Sequence, residues 1–163
     1  MITAARIKKR RSNIITTEGV STRMGPEWVI SGVLAKSARP GRELGREAKV
    51  PREVVDRWLE VVREMGVRSI ICLLDEDDLA CYYEDVPGGL LDYYRQNAFG
   101  VAHLSIEDPE HHPEGWEALE KSLEQAWQVF QALPKPVLVH CSAGKTRSRK
   151  VAEYICKKIS SEV

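Results

Sequence analysis

The stretch Val137-Leu138-Val139-His140-Cys141-Ser142-Ala143-Gly144-Lys145-Thr146-Arg147-Ser148 decides how the rest of the chain is read. Val137 to Val139 is a short apolar run without polar alternation, the pattern of a strand buried on both faces. After Ser148 the apolar positions change period: Val151, Ala152, Ile155 and Ile159 recur by threes and fours, as on one face of a helix. Buried strand, short glycine-containing loop and helix in direct succession are the repeating unit of a parallel sheet covered by helices.

Working back from that unit, the alternation continues. Trp116, Leu119, Leu123, Trp127, Phe130 and Leu133 predict a helix that starts after Pro113 and is ended by Pro134 and Pro136. Val101 to Ile106 alternates apolar and polar residues and predicts a strand. Residues 79–98 are expected to be mostly helical, with an interruption at Pro87-Gly88-Gly89. Val67 to Leu74 is another buried-strand run, and the acidic group Asp75-Glu76-Asp77-Asp78 that stops it suits the first turn of a helix. Pro51 opens a helix whose apolar face is Val54, Val55, Trp58, Leu59, Val62 and Met65, with Gly66 at its end. Trp28 to Ile30 and Gly32 to Leu34 are expected as short strands, followed by a Pro/Gly loop over residues 38–45.

The expected architecture is therefore a single α/β domain over residues 27–163, with a mostly parallel central sheet flanked by helices. Residues 1–26 read as an N-terminal arm, partly disordered or lying on the surface. In open sheets of this class ligands bind beyond the carboxyl ends of the strands, which is where the loop from Cys141 to Thr146 falls.

Composition narrows the function classes. The chain has 163 residues, with 24 Lys plus Arg balanced by 24 Asp plus Glu. No global field draws it to nucleic acid or to a membrane surface, so attraction for an anion has to be local. The basic cluster Arg6, Lys8, Lys9, Arg10 and Arg11 reads as a solvated tail, with a nucleic-acid or targeting patch as the alternative. No apolar segment follows it, so no signal peptide is expected. No run approaches the roughly 20 apolar residues that a spanning helix needs. Cys72, Cys81, Cys141 and Cys156 lack zinc-site spacing and read as reduced thiols of a cytoplasmic protein. Neither metal nor cofactor is expected, and oligomeric state is not legible.

The loop itself has a specific chemistry. Backbone amides of residues 142–147 can converge on one point at a helix N-terminus, where unpaired N–H groups and the helix dipole favour an anion. Gly144 permits the backbone angles of such a nest. Arg147 can bring a bidentate guanidinium to two phosphate oxygens, and the same field favours the nucleophilic thiolate of Cys141. Ser142, Ala143, Gly144, Lys145, Thr146 and Arg147 are thus the candidate phosphate-binding residues.

His140-Cys141-Ser142-Ala143-Gly144-Lys145-Thr146-Arg147-Ser148 resembles, at every fixed position, the HCxxGxxR[ST] signature of the protein tyrosine and dual-specificity phosphatases. The likeness extends more weakly to Trp28–Gly41 and to Val67–Leu74, and the absence of a WPD motif leans toward the compact dual-specificity branch. The resemblance implies a two-step hydrolysis in which Cys141 attacks phosphorus, Arg147 holds the phosphoryl oxygens and Ser148 hydrogen-bonds the sulfur as it leaves. His140 orients the loop. The implied substrate is a phosphorylated protein, on tyrosine, serine or threonine, or a small phosphate ester. Phosphoinositides or other polyanionic esters are the alternative, and a phosphate-binding module with little turnover is another. Relatives also continue beyond this last helix, so the N-terminal segment, a partner or a longer native chain is expected to cover that flank.

Family members carry an aspartate before the cysteine as the acid for the leaving oxygen. Asp108, in Ile106-Glu107-Asp108-Pro109 just past a predicted strand, is the chosen candidate. Glu107, Glu110, His111 and His112 are near enough to do the same work, and the group can instead simply cap the following helix. Lys145 is either a second cation on the bound phosphate, as in phosphoinositide-preferring members of that family, or a solvent-facing lysine. Arg39 either flanks the site or sits in a plain turn. Cys72 is a candidate for an oxidative disulfide with Cys141 or a core thiol. Gly144-Lys145-Thr146 also evokes the GxxxxGK[ST] nucleotide loop, but position 139, where that motif needs glycine, is Val139. A rhodanese-type cysteine loop has no need of Arg147 and Ser148.

Overall fold

The computed structural model describes residues 25–162. The basic cluster and nearly all of the expected N-terminal arm lie outside the described residues. Five strands form one sheet: β1 (Glu27–Ile30), β2 (Leu34–Ser37), β3 (Ser69–Cys72), β4 (Gly100–His103) and β5 (Val137–His140), in the order β1-β2-β5-β3-β4. β1 pairs antiparallel with β2, and every other pairing is parallel. Among the described residues there are five α-helices: α1 (Arg52–Glu64), α2 (Glu76–Tyr82), α3 (Leu90–Gln96), α4 (Gly115–Ala132) and α5 (Arg147–Glu162). The expected single α/β domain with a mostly parallel sheet is what forms.

Alternation of side chains along the strands divides the core in two. Ile70, Cys72 and Leu138 point to the face covered by α1, α2 and α3, where Val55, Leu59, Val62 and Tyr94 are buried. Ile71, Val137 and Val139 point to the opposite face, against Leu119, Trp127 and Phe130 of α4 and Val151, Ala152 and Ile155 of α5. Each fully buried valine, leucine or isoleucine contributes on the order of 1.5–3 kcal/mol, and burial on both faces explains why β3 and β5 carry no polar alternation.

Three expectations need correction. Gly32 to Leu34 is not a strand. Gly32 has φ +74 and lies in the turn between β1 and β2, where Val33 N donates to Ile30 O at 2.9 Å, and the strand proper is Leu34–Ser37. The strands expected over Val67–Leu74 and Val101–Ile106 are four residues each, Ser69–Cys72 and Gly100–His103, because the pairing of β3 with β5 and of β4 with β3 spans only those residues. Trp116, counted in the apolar stripe of α4, is 46% exposed. It stands in the first turn of the helix, before the stripe reaches the sheet. The helix signals otherwise hold: Asp75 caps α2 by accepting from Asp78 N at 2.8 Å, and Gly66, at φ +90, follows α1 and donates to Arg63 O.

The sheet order fixes the position of the loop after β5. Its parallel neighbours are β2 and β3, so the loop emerges at the carboxyl edge between the ends of both. Arg39 N, just past β2, donates to Ser142 O at 2.9 Å, and Leu73 N, just past β3, donates to His140 O at 2.9 Å. Segments that lie 103 and 67 residues away in sequence thus hold the loop from two sides.

Candidate active site

Cys141 is buried, 2% exposed, at the head of the loop. Its Sγ lies 3.3 Å from Ser148 Oγ and accepts from Ser148 N at 3.4 Å, in the first turn of α5. Gly144 has φ +76, and a Cβ there would lie 2.7 Å from Ala38 N and 2.9 Å from Ser37 C. Only glycine lets the loop take that conformation and pack this closely on the end of β2. Among the described residues, no acceptor takes the backbone N–H of Ser142, Ala143, Gly144, Lys145 or Thr146. Five consecutive unpaired amides ahead of a helix N-terminus are the donor set of an anion nest.

Arg147 is 1% exposed. Its Nη1 donates to Ile106 O at 2.7 Å and, more weakly, to Leu73 O at 3.4 Å. Two carboxylates approach the same guanidinium: Asp108 Oδ2 is 3.7 Å from Nη2 and Asp78 Oδ2 is 4.0 Å from Nη1. The carbonyls of Leu73, just past β3, and of Ile106, in the segment that follows β4, therefore fix one nitrogen of the fork, while the other faces Asp108.

Asp108 belongs to a tight turn. Its carbonyl accepts from His111 N and His112 N at 3.0 and 2.8 Å, and its Oδ1 accepts from Glu110 N at 3.0 Å. Gly115 seats this turn against α4, since a Cβ there would lie 2.5 Å from Glu107 O. Asp108 thus caps its own turn and not the helix, whose N-cap Glu114 makes no side-chain capping bond. Thr146 Oγ1 donates to Glu110 Oε2 at 3.3 Å, joining the turn to the cysteine loop.

Cys141, Ala143, Gly144, Lys145, Thr146 and Arg147 all line one cleft of about 590 Å³, together with Asp108. Lys36, Arg46, Glu110 and Arg149 complete it. Ser142 faces an adjoining hollow of about 200 Å³ with Arg46, Asp75, Asp78, Tyr82, Asp108, His111 and His112. Of the alternative acids, Glu110 reaches the cleft and the two histidines only the hollow. Glu107 lines neither, and forms an exposed group with His112 and Glu114.

His140 lies behind the loop, fully buried, with Nε2 2.9 Å from Tyr94 OH and Nδ1 3.3 Å from Cys141 O. A carbonyl only accepts, so Nδ1 carries the proton and Tyr94 donates to Nε2. Burial is the main cause that holds the imidazole down at about 3. Between that value and the roughly 6.5 of an unfolded histidine, the unfolded chain binds a proton that the folded one does not. The stability contributed by neutral His140 is fully present above about 6.5 and is lost as pH falls toward 3. The expected loss between pH 7.5 and pH 5 is about 2 kcal/mol at 1.36 kcal/mol per unit. Urea unfolding at the two pH values should show wild type losing that much more than His140→Asn. Equal losses in both would contradict the assignment.

Arg39 does not line the cleft. It is 1% exposed and stacks on the Tyr82 ring, 3.7 Å from the centroid. It approaches Tyr83 OH and Gly45 O at 3.4 Å each. Its contact with the loop is the main-chain bond to Ser142. Cys72 is buried on β3 and its thiol is free, with burial pushing it up to about 12. It is a protonated core thiol in this state.

Sequence reasoning missed Asp78, which burial and then the Asp75 carboxylate shift upward against the opposing pull of Arg147. The signal was present, since an acidic group just past a strand of a parallel sheet lies on the ligand-binding edge. Arg46 and Arg149 were also missed, and single surface arginines carry no pattern. None of the described helices is long and apolar enough to cross a membrane. No protein-family model matches the chain, and no curated protein matches it.

Proposed function

We propose that the protein is a cysteine-dependent phosphatase, of the tyrosine and dual-specificity kind, that hydrolyses phosphate monoesters through a phosphocysteine intermediate on Cys141. The observation that supports this is the meeting of Cys141, Arg147 and Asp108 in one cleft, beside the amides of Ser142 to Thr146, for which no described residue supplies an acceptor.

Three phosphoryl oxygens lie in the amide nest, and the free edge of the Arg147 guanidinium holds two of them. The Cys141 thiolate attacks phosphorus in line, forming the S–P bond as the ester P–O bond breaks. The departing oxygen takes its proton from Asp108 and leaves as the alcohol. Water then attacks the phosphocysteine, giving its proton to the Asp108 carboxylate. The S–P bond breaks with the electron pair returning to sulfur, where the Ser148 hydroxyl, 3.3 Å away, stabilises the thiolate. The sum is ester plus water giving alcohol plus phosphate, with the protein unchanged. His140 keeps the loop in place through Tyr94 and takes no part in proton transfer, since its imidazole is buried and neutral.

Asp108 is preferred to Glu110 as the acid because it also stands at the Arg147 fork, whereas Glu110 is engaged by Thr146. Asp108→Asn is expected to slow turnover of alkyl phosphates by about 10²- to 10⁴-fold, with a smaller effect on nitrophenyl esters, whose leaving group needs no proton. Steady-state kinetics on both esters check this, and an unchanged alkyl rate would move the acid to Glu110. The reading as a whole is tested by release of phosphate from an aryl phosphate in the presence of chelator and its block by vanadate. Tight capture of phosphate esters without release would instead make the loop a binding module.

A further inference from the structure

The cleft over Cys141 is larger than a phosphoryl group requires. About 590 Å³ lies within the roughly 300–1,000 Å³ of sites that enclose a whole small molecule. Two properties of its wall select among phosphate esters.

The first is the kind of side chain that lines it. Among the described residues, no aromatic side chain, and no aliphatic one larger than Ala143, lines it. An aromatic ring buries roughly 150–250 Å² when bound, and within this cleft neither a phosphotyrosyl ring nor a nucleobase meets an aromatic face; Tyr82 of the adjoining hollow already carries Arg39 on its ring.

The second is unpaired positive charge. Five cations line the cleft against two acids, Asp108 and Glu110. Lys36 is already engaged by Glu27 at 3.1 Å and Gly144 O at 3.2 Å, and Arg147 faces Asp108 and Asp78. Arg46, Lys145 and Arg149 are exposed and, among the described residues, have neither an ion pair nor a side-chain hydrogen bond. They come from three separate positions: the segment after the short 3-10 turn Arg42–Leu44, the cysteine loop and the first turn of α5. In a chain with no net charge this concentration is local, and one scissile phosphate held by Arg147 and the loop amides leaves it unsatisfied.

We propose that the substrate is a polyphosphorylated, hydroxyl-bearing carbon scaffold, a sugar or cyclitol bisphosphate. One phosphate lies over Cys141 while a second engages Arg46, Lys145 and Arg149. This rests on the phosphatase reading of the loop and narrows the carrier from any phosphate ester to one with a second dianion close to the first. Guanidinium groups suit the role because they bind phosphate oxygens in pairs and stay charged.

The test measures kcat/KM at fixed ionic strength for a nitrophenyl phosphate, fructose 6-phosphate, fructose 1,6-bisphosphate and a singly phosphorylated tyrosine peptide. An inositol bisphosphate, free and as a lipid headgroup in phosphatidylcholine vesicles, is compared with its monophosphate. The expected result is a preference for bisphosphate over monophosphate of about tenfold or more, reduced at least tenfold in the Arg46→Met, Arg149→Met double variant. A preference for either inositol form upholds the inference, and their ratio assigns the source. Equal rates on mono- and bisphosphates, a preference that survives in the double variant, or faster turnover of the phosphopeptide would overturn it while leaving the phosphatase reading intact. No turnover of any ester, nitrophenyl phosphate included, would overturn the reading on which it rests.

Discussion

Cys141→Ser is expected to lower hydrolysis of every phosphate ester by on the order of 10⁴- to 10⁶-fold while phosphate binding persists. The substitution changes one buried atom, and the groups that hold the anion are backbone amides and Arg147, which it does not touch. A serine hydroxyl is far harder to ionise than a thiol and has no adjacent base here, since the neighbouring His140 is engaged by Tyr94 and Cys141 O. The loop keeps its shape because Gly144 packs on β2 and Ser142 O accepts from Arg39 N. Steady-state rates with a chelator present, set beside calorimetric binding of inorganic phosphate, separate the two effects. A metal-free rate within tenfold of wild type would remove Cys141 from the chemistry.

Arg147→Lys is expected to cost about 10³-fold in kcat/KM with the positive charge retained. Arg147 does two things that one ammonium cannot do together. Its Nη1 is bonded to Ile106 O at 2.7 Å and its Nη2 lies 3.7 Å from Asp108, which leaves an edge of the fork for the phosphate. A lysine that satisfies the carbonyl cannot also reach two phosphoryl oxygens, and loss of one preorganised donor alone costs about 10²- to 10³-fold. Asp108 and Asp78 are only 20% and 26% exposed, so the retained charge still screens them and the fold should hold. The loss should appear in kcat more than in the urea midpoint. A variant of unchanged stability and near-wild-type kcat/KM would show that the guanidinium fork is not the phosphate clamp.

The parts of the site coded locally were the parts legible in the sequence. Val137 to Val139, Gly144 and Arg147 lie within one strand-loop-helix unit, so periodicity and spacing alone bring them together. Asp108 was reachable by its place after a strand, but its neighbours were not separable from it. Only the turn closed by Gly115 decides that Asp108 points at Arg147 while Glu107 points away. Asp78 was read as part of a helix start, and that reading is correct as far as it goes. What the sequence does not carry is that β5 lies beside β3, which brings the start of α2 to the arginine. Long-range pairing also explains the strand errors: Gly32 sits among β-formers, and only the antiparallel return of β2 on β1 makes it a turn. The three cations of the cleft that no described residue pairs come from segments with no shared pattern, and only the folded chain collects them.

The most direct test of the central claim is to look for the covalent intermediate. Rapid acid quench of wild-type protein with a nitrophenyl phosphate, followed by peptide mass spectrometry, is predicted to find one phosphoryl group on Cys141. It should accumulate in Asp108→Asn with this substrate, where the first step needs no acid and the second has lost its base. A phosphoryl group on any other residue, or hydrolysis proceeding in wild type and Asp108→Asn with Cys141 unmodified throughout, would contradict the account.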